Sequence, residues 1–193
     1  MAAWRREVLG RGPEAGVTPP PKAKGKAKGG AGLPPDDRPF TVGYREFPTT
    51  FLPARDGVPQ GGIKRSAGAP NSSYFTQWRS LEGAITWDIE VHTPGKYEVA
   101  IYYTCAPADV GSQIELSFKG GAARGTVTPG WDPPLVKDHD RVERIAESYL
   151  KDFRALKLGA IELAAGRDQL RLRALEKTGT EVMDVRKIGR AHV

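Results

Sequence analysis

The chain has 193 residues, 39% of them hydrophobic and 27% charged, with 29 Lys/Arg against 23 Asp/Glu and a single cysteine. One cysteine excludes an internal disulfide framework and a cysteine-rich zinc site, and no apolar run approaches the ~20 residues of a membrane-spanning helix. The net charge of +6 does not form a nucleic-acid footprint: residues 1–39 carry eight Lys/Arg against four Asp/Glu and the remainder 21 against 19, so most of the excess lies in the tail.

In chain order, residues 1–9 suggest a short helical end, with Trp4, Val8 and Leu9 on one face. Alone it is too short to be stable, so it reads as the closing turns of an upstream domain. The start, MAAWRREVLGRG, has no apolar stretch after its charges and is not a secretory signal. Residues 10–39 read as a flexible linker. The run TPPPKAKGKAKGGAGLPP buries too little apolar surface to offset the entropy of ordering it.

From Phe40 the pattern becomes that of strands. Ile85, Trp87, Ile89 and Val91 alternate with Thr86, Asp88 and Glu90, as on a half-buried antiparallel strand. Thr93-Pro94-Gly95 supplies a turn, and Tyr97, Val99, Ile101 and Tyr103 alternate on the return, which predicts a β-hairpin. Further strands are expected at Thr50–Pro53, Tyr74–Trp78, Ile114–Phe118, Ala160–Leu163, Leu170–Leu172 and Met183–Val185. Over 142–153 the spacing of Val142, Ile145, Tyr149 and Phe153 permits a helix and that of Tyr149, Lys151 and Phe153 a strand, and the segment is read as extended. Strands about ten residues apart with turns between them predict an all-β fold: an antiparallel β-sandwich or jelly roll over residues 40–187.

The last six residues, Ile188 to Val193, can be encoded by ATC-GGA-AGA-GCA-CAC-GTC, which matches a common sequencing-adapter string in one frame. On that reading residues 188–193 are expected to be an artefact with the last strand cut short; a genuine tail is the alternative.

Several phrases carry a family likeness: RPFTVGYREFP, LPARDGVPQGGIKRSAGAPNSSYFTQW, ITWDIEVHTPGKYEVAIYYTCAPADVGSQIELSF, ESYLKDFRALKLGAIEL and LRLRALEKTGTEVMDVR. From about Arg38 to Arg186 the chain resembles the C-terminal accessory domain of bacterial arylsulfatases of the N-acetylgalactosamine-6-sulfatase type. The broader pattern of Trp87, Val91, Pro94, Gly95, Tyr97 and Val99 also recurs in galactose-binding-like sandwiches, among them family 6 and family 35 carbohydrate-binding modules. The resemblance implies a sandwich appended to a parent sulfatase catalytic domain, with MAAWRREV as that domain's closing helix and a periplasmic or extracellular location for the parent protein. No membrane and no nucleic-acid partner are expected, on the apolar-run length and the charge distribution given above.

Sulfatase chemistry needs a C-x-P-S/A-R run. Cys105-Ala106-Pro107-Ala108 fits its first part, but Asp109 stands where the arginine belongs and no L-T-G-R follows. The chain is therefore read as non-catalytic, with Cys105 a small residue at a strand end. His92, His139 and His192 are isolated and form no metal-binding spacing.

Sugar binding is the remaining chemistry, because sugar CH faces stack on aromatic rings and hydroxyls seek planar polar partners. Trp131, in the loop Pro129-Gly130-Trp131-Asp132-Pro133-Pro134, is the leading platform, with Trp78 and Tyr74 next; Asp132, Asn71 and Arg79 are the polar candidates. Trp87, on a core face, is structural. The resemblance further implies a structural calcium with Asp184 among its ligands, although a paired glutamate motif is missing and Glu46 is only a distant substitute. Two functions stay open: polysaccharide recognition on behalf of the parent hydrolase, or a domain that packs on the catalytic domain with no ligand of its own.

Overall fold

The computed structural model describes residues 39–44, 49–69, 71–137 and 140–192, with side chains up to Gly189. The expectations for residues 1–38, for Glu46 and for His139 fall outside the described residues.

Among the described residues, twelve strands form two six-stranded sheets. They are β1 (Phe40–Val42), β2 (Thr49–Pro53), β3 (Val58–Gln60), β4 (Lys64–Arg65), β5 (Phe75–Thr76), β6 (Ala84–Val91), β7 (Gly95–Thr104), β8 (Gln113–Phe118), β9 (Gly121–Thr126), β10 (Arg154–Leu163), β11 (Gly166–Glu176) and β12 (Asp184–His192). The first sheet runs β1-β6-β11-β8-β9, with β3 also along β6. The second runs β10-β7-β12-β5-β4, with β2 also along β12. Every pairing is antiparallel except β1 with β6. Among the described residues no helix is long and apolar enough to cross a membrane.

The period-two residues do what their spacing demands. Ile85, Trp87, Ile89 and Val91 of β6 are buried, as are Tyr97, Val99, Ile101 and Tyr103 of β7, while Asp88 and Glu98 face solvent. Leu170 and Leu172 of β11 and Ile114 and Leu116 of β8 complete the inner face of the first sheet. Each such side chain contributes about 1.5–3 kcal/mol on full burial. Trp87 also donates from Nε1 to the carbonyl of Pro53 at 3.0 Å, which ties β6 to the end of β2 in the facing sheet.

The expected hairpin is corrected. β6 pairs with β1, β3 and β11, whereas β7 pairs with β10 and β12, so the two strands lie in opposite sheets and His92–Pro94 arches between them. The arch is held by His92 N–H donating to Val42 O at 2.9 Å and by the Tyr97 hydroxyl donating to Thr93 O at 2.5 Å. Alternation fixes which face of a strand is buried. Two strands satisfy it equally well side by side or facing each other across the core.

Three further differences concern lengths. β10 begins at Arg154, six residues before the expected Ala160, and accommodates Gly159 at φ +87° as a bulge. Segment 142–153 contains no strand; a single bridge, Val136 to Leu150, spans it, and Val142 and Ile145 point outward. β12 runs past 187 to His192 between β7 and β2, with Ile188 fully buried.

Candidate functional site

At one end of the sandwich, the C-terminal end of β7 and the start of β12 bound a small open cleft of about 130 Å³. Thr104, Cys105, Asp109, Asp132, Lys151 and Asp184 line it, and Thr76 and Glu181 stand at its edge. Strand pairing brings them together, since Asp184 is the register partner of Thr104. The Thr104 hydroxyl donates to Asp184 Oδ2 at 3.2 Å.

Trp131 sits beside the cleft, half-buried. Its backbone forms a two-bond bridge with Cys105, Trp131 N–H to Cys105 O at 2.7 Å and Cys105 N–H to Trp131 O at 2.8 Å. Its indole Nε1 donates to Asp152 O at 2.6 Å, and the Arg154 guanidinium lies 3.3 Å from the ring centroid. The Trp131 loop is thus fixed through backbone, ring edge and ring face.

The centre of the cleft is Lys151. Its ammonium donates to Asp132 Oδ1 at 2.7 Å and to Asp184 Oδ2 at 2.9 Å. Burial alone disfavours the charged lysine, but the hydrogen bonds and charges of the two carboxylates outweigh it and hold its pKa well above the usual lysine value. Asp109 Oδ1 accepts from the backbone N–H of Thr180 at 2.5 Å and so pins the loop before β12. Cys105 is buried at the cleft wall; burial, then the negative charges of Asp109, Asp132 and Asp184, push its thiol up to about 11. Such a thiol stays protonated and is a poor nucleophile at neutral pH.

No family model matches the chain, and no curated protein matches it significantly. Solved structures do. The Podospora anserina GH26-CBM35 β-(1,4)-mannanase superposes with a TM-score of 0.52 at 16% identity over 75% of this chain, which spans only 28% of that enzyme. The C-terminal family 6 module of a marine laminarinase from Zobellia galactanivorans gives 0.51 at 11% identity, covering 74% of this chain and 98% of the module. A family 6 module of Cellvibrio mixtus lichenase 5A, solved in complex with cellotriose, gives 0.50 at 11% identity, covering 75% and 97%. The chain shares the β-sandwich fold of these structures.

Within that fold the sequence candidates separate. Asp132 and Asp184 line the cleft, and Trp131, next to Asp132 in the chain, flanks it. Arg79 reaches its edge through an ion pair with Glu181 at 2.8 Å. Tyr74 lies behind it, 8% exposed and packed on the Phe153 ring at a centroid distance of 5.3 Å; burial first, then Asp184, raises its phenol pKa. Trp78 is corrected from platform to core: it is 1% exposed and its Nε1 bonds to Ser80 O, so no face remains for a sugar. Asn71 is exposed away from the cleft lining, and its carbonyl accepts from Arg186.

At Asp184, where the resemblance implies calcium, the carboxylate meets a protein cation. The cation beside Asp184 is the Lys151 ammonium, and among the described residues no group of three or more His, Cys, Asp or Glu converges as a metal site. Lys151, Arg154, Asp109 and Thr104 escaped sequence reasoning. Only the spacing of the run Lys151-Asp152-Phe153-Arg154, a cation at each end of a strand-like stretch, could have signalled the first two.

Proposed function

We propose that this chain is a carbohydrate-binding accessory domain of a sulfatase, and that it holds polysaccharide near the parent enzyme at the Trp131 rim. The observation that carries this reading is the fixed, half-buried indole of Trp131 beside an open polar cleft. Asp132, exposed at the cleft mouth, offers an acceptor to sugar hydroxyls there, and Arg154, stacked on one face of the ring and exposed, offers a cation to a sulfate ester. The shared fold of family 6 and family 35 modules supports it, and the sequence resemblance supports the sulfatase parent and a sulfated substrate. Tethering would raise local substrate concentration and leave the chemistry to the upstream domain.

The test is a glycan array carrying sulfated and desulfated polysaccharides, probed with the whole chain and with Trp131→Ala. Binding that is lost in the variant is expected; no binding to any glycan defeats the proposal.

One observation favours a second reading, in which the domain packs on the catalytic domain without a ligand. Val142 and Ile145 are 78% and 99% exposed on the loop that follows Trp131, with Leu135 and Val136 also outward. In the full-length protein, Val142→Ser with Ile145→Ser would then loosen the domain junction and leave glycan binding untouched.

A further inference from the structure

Asp132 and Asp184 come from a surface loop and from the last strand, yet their carboxylates meet on one ammonium. The Lys151 side chain is 18% exposed and that of Asp184 9%. Charges so withdrawn from water persist only when paired. Without Lys151 the two acids would share the cleft with the Thr104 hydroxyl, and with Asp109 and Glu181 nearby. The same short run grips the neighbouring indole: the Asp152 carbonyl takes Trp131 Nε1, and Arg154 covers the ring. Phe153 turns inward onto Tyr74 and anchors the run to the sandwich.

We propose that Lys151 is the positioning residue of this site, a built-in cation that ties the Trp131–Asp132 corner to β12 and so organises the rim without a metal ion. The inference rests on the reading of the Trp131 rim as the binding surface for its functional meaning, but not for its geometry. Lysine suits the task because a compact ammonium with three donors satisfies two carboxylates at once. A preformed corner spares a ligand the cost of ordering the loop.

The experiment uses the full chain labelled with ¹⁵N and follows the Trp131 indole N–H resonance, assigned with Trp131→Phe. In the unsubstituted protein this resonance stays fixed when EDTA or CaCl2 is added. In Lys151→Met it shifts and broadens, and glycan affinity falls about tenfold; Lys151→Arg, which keeps donors for both acids, retains both. Asp132→Asn, at an exposed residue, removes one leg of the bridge and moves the same signal while the core resonances hold, so the question survives if Lys151→Met does not fold. A Trp131 signal that responds to EDTA, that ignores both Lys151→Met and Asp132→Asn, or that is the same in Lys151→Met and Lys151→Arg overturns the proposal. The indole readout needs no sugar. If no glycan binds, the carbohydrate reading fails by itself; if glycans bind and the signal ignores the substitutions, the Lys151 assignment fails by itself.

Discussion

Glu115 of β8 accepts two hydrogen bonds from Arg173 of β11, from Nε at 2.9 Å and from Nη2 at 2.7 Å, on the outer face of the first sheet. Arg124 of β9 donates a third at 2.7 Å, and the carboxylate is 4% exposed. The hydrogen bonds from Arg124 and then Arg173 hold this carboxyl below its ordinary pKa despite burial. In the unfolded chain a glutamate titrates near about 4.3. The stabilisation is therefore complete above that pH and is lost as pH falls below it toward the lower folded value. Glu115→Gln should cost about 1–2 kcal/mol at pH 7, since the two arginine heads remain in contact with solvent. Urea titrations from pH 7 to pH 3 check it: the gap between variant and parent should narrow on the acid side.

Cys105 gives the opposite edge of the pH range. Its thiol is held up to about 11 in the folded chain, against about 8.5 for a free cysteine. A raised pKa contributes stability that is present below the unfolded value and lost as pH climbs from there toward about 11. Iodoacetamide at pH 8 should label the native protein slowly and the urea-unfolded protein fast, read by mass spectrometry. Cys105→Ala should lessen the alkaline loss of stability; rapid native labelling would contradict the buried, protonated thiol.

The sequence revealed faces more readily than neighbours. Ile85 to Val91 and Tyr97 to Tyr103 announced their buried sides correctly, but the turn between them is equally compatible with a hairpin and with an arch, and only the competition of β11, β10 and β12 for their edges decides. Leu156 and Leu158 alternate with Ala155 and Lys157, so the early start of β10 was visible in principle. Trp78 and Trp131 both precede or follow turn residues; what separates them is tertiary, since Gly83 lets the chain close over Trp78 while the Cys105 bridge holds Trp131 at the rim. The run from Lys151 to Arg154 hinted at a cation there, but the partners of Lys151 had no local signature, because Asp132 and Asp184 are distant in sequence.

The contrast between the two tryptophans is measurable. A Cβ at Gly83 would stand 2.8 Å from Trp78 Nε1, so the ring fills its space completely. Trp78→Ala should cost about 3–5 kcal/mol through transfer and cavity terms, and Gly83→Ala about 1–3 kcal/mol through overpacking. Trp131→Ala should cost no more than about 2 kcal/mol and leave a folded domain. Denaturant midpoints rank the three, and a Trp131→Ala protein as unstable as Trp78→Ala would make the rim indole a core residue.

Gly120 and Gly121 separate two causes of glycine dependence at adjacent positions. Gly120 has φ +87° with open space around its missing Cβ, so alanine there meets strain in the backbone alone, about 1–2 kcal/mol. At Gly121, where β9 begins, the obstacle is contact: a Cβ would run into the backbone carbonyl of Glu162 in β10. That approach closes the edge between the two sheets, and a backbone carbonyl cannot rotate away as a side chain would. Gly121→Ala should therefore be the more damaging of the two, at about 3 kcal/mol, and its thermal melt should fall further than that of Gly120→Ala. The reverse order would mean that β9 and β10 do not meet.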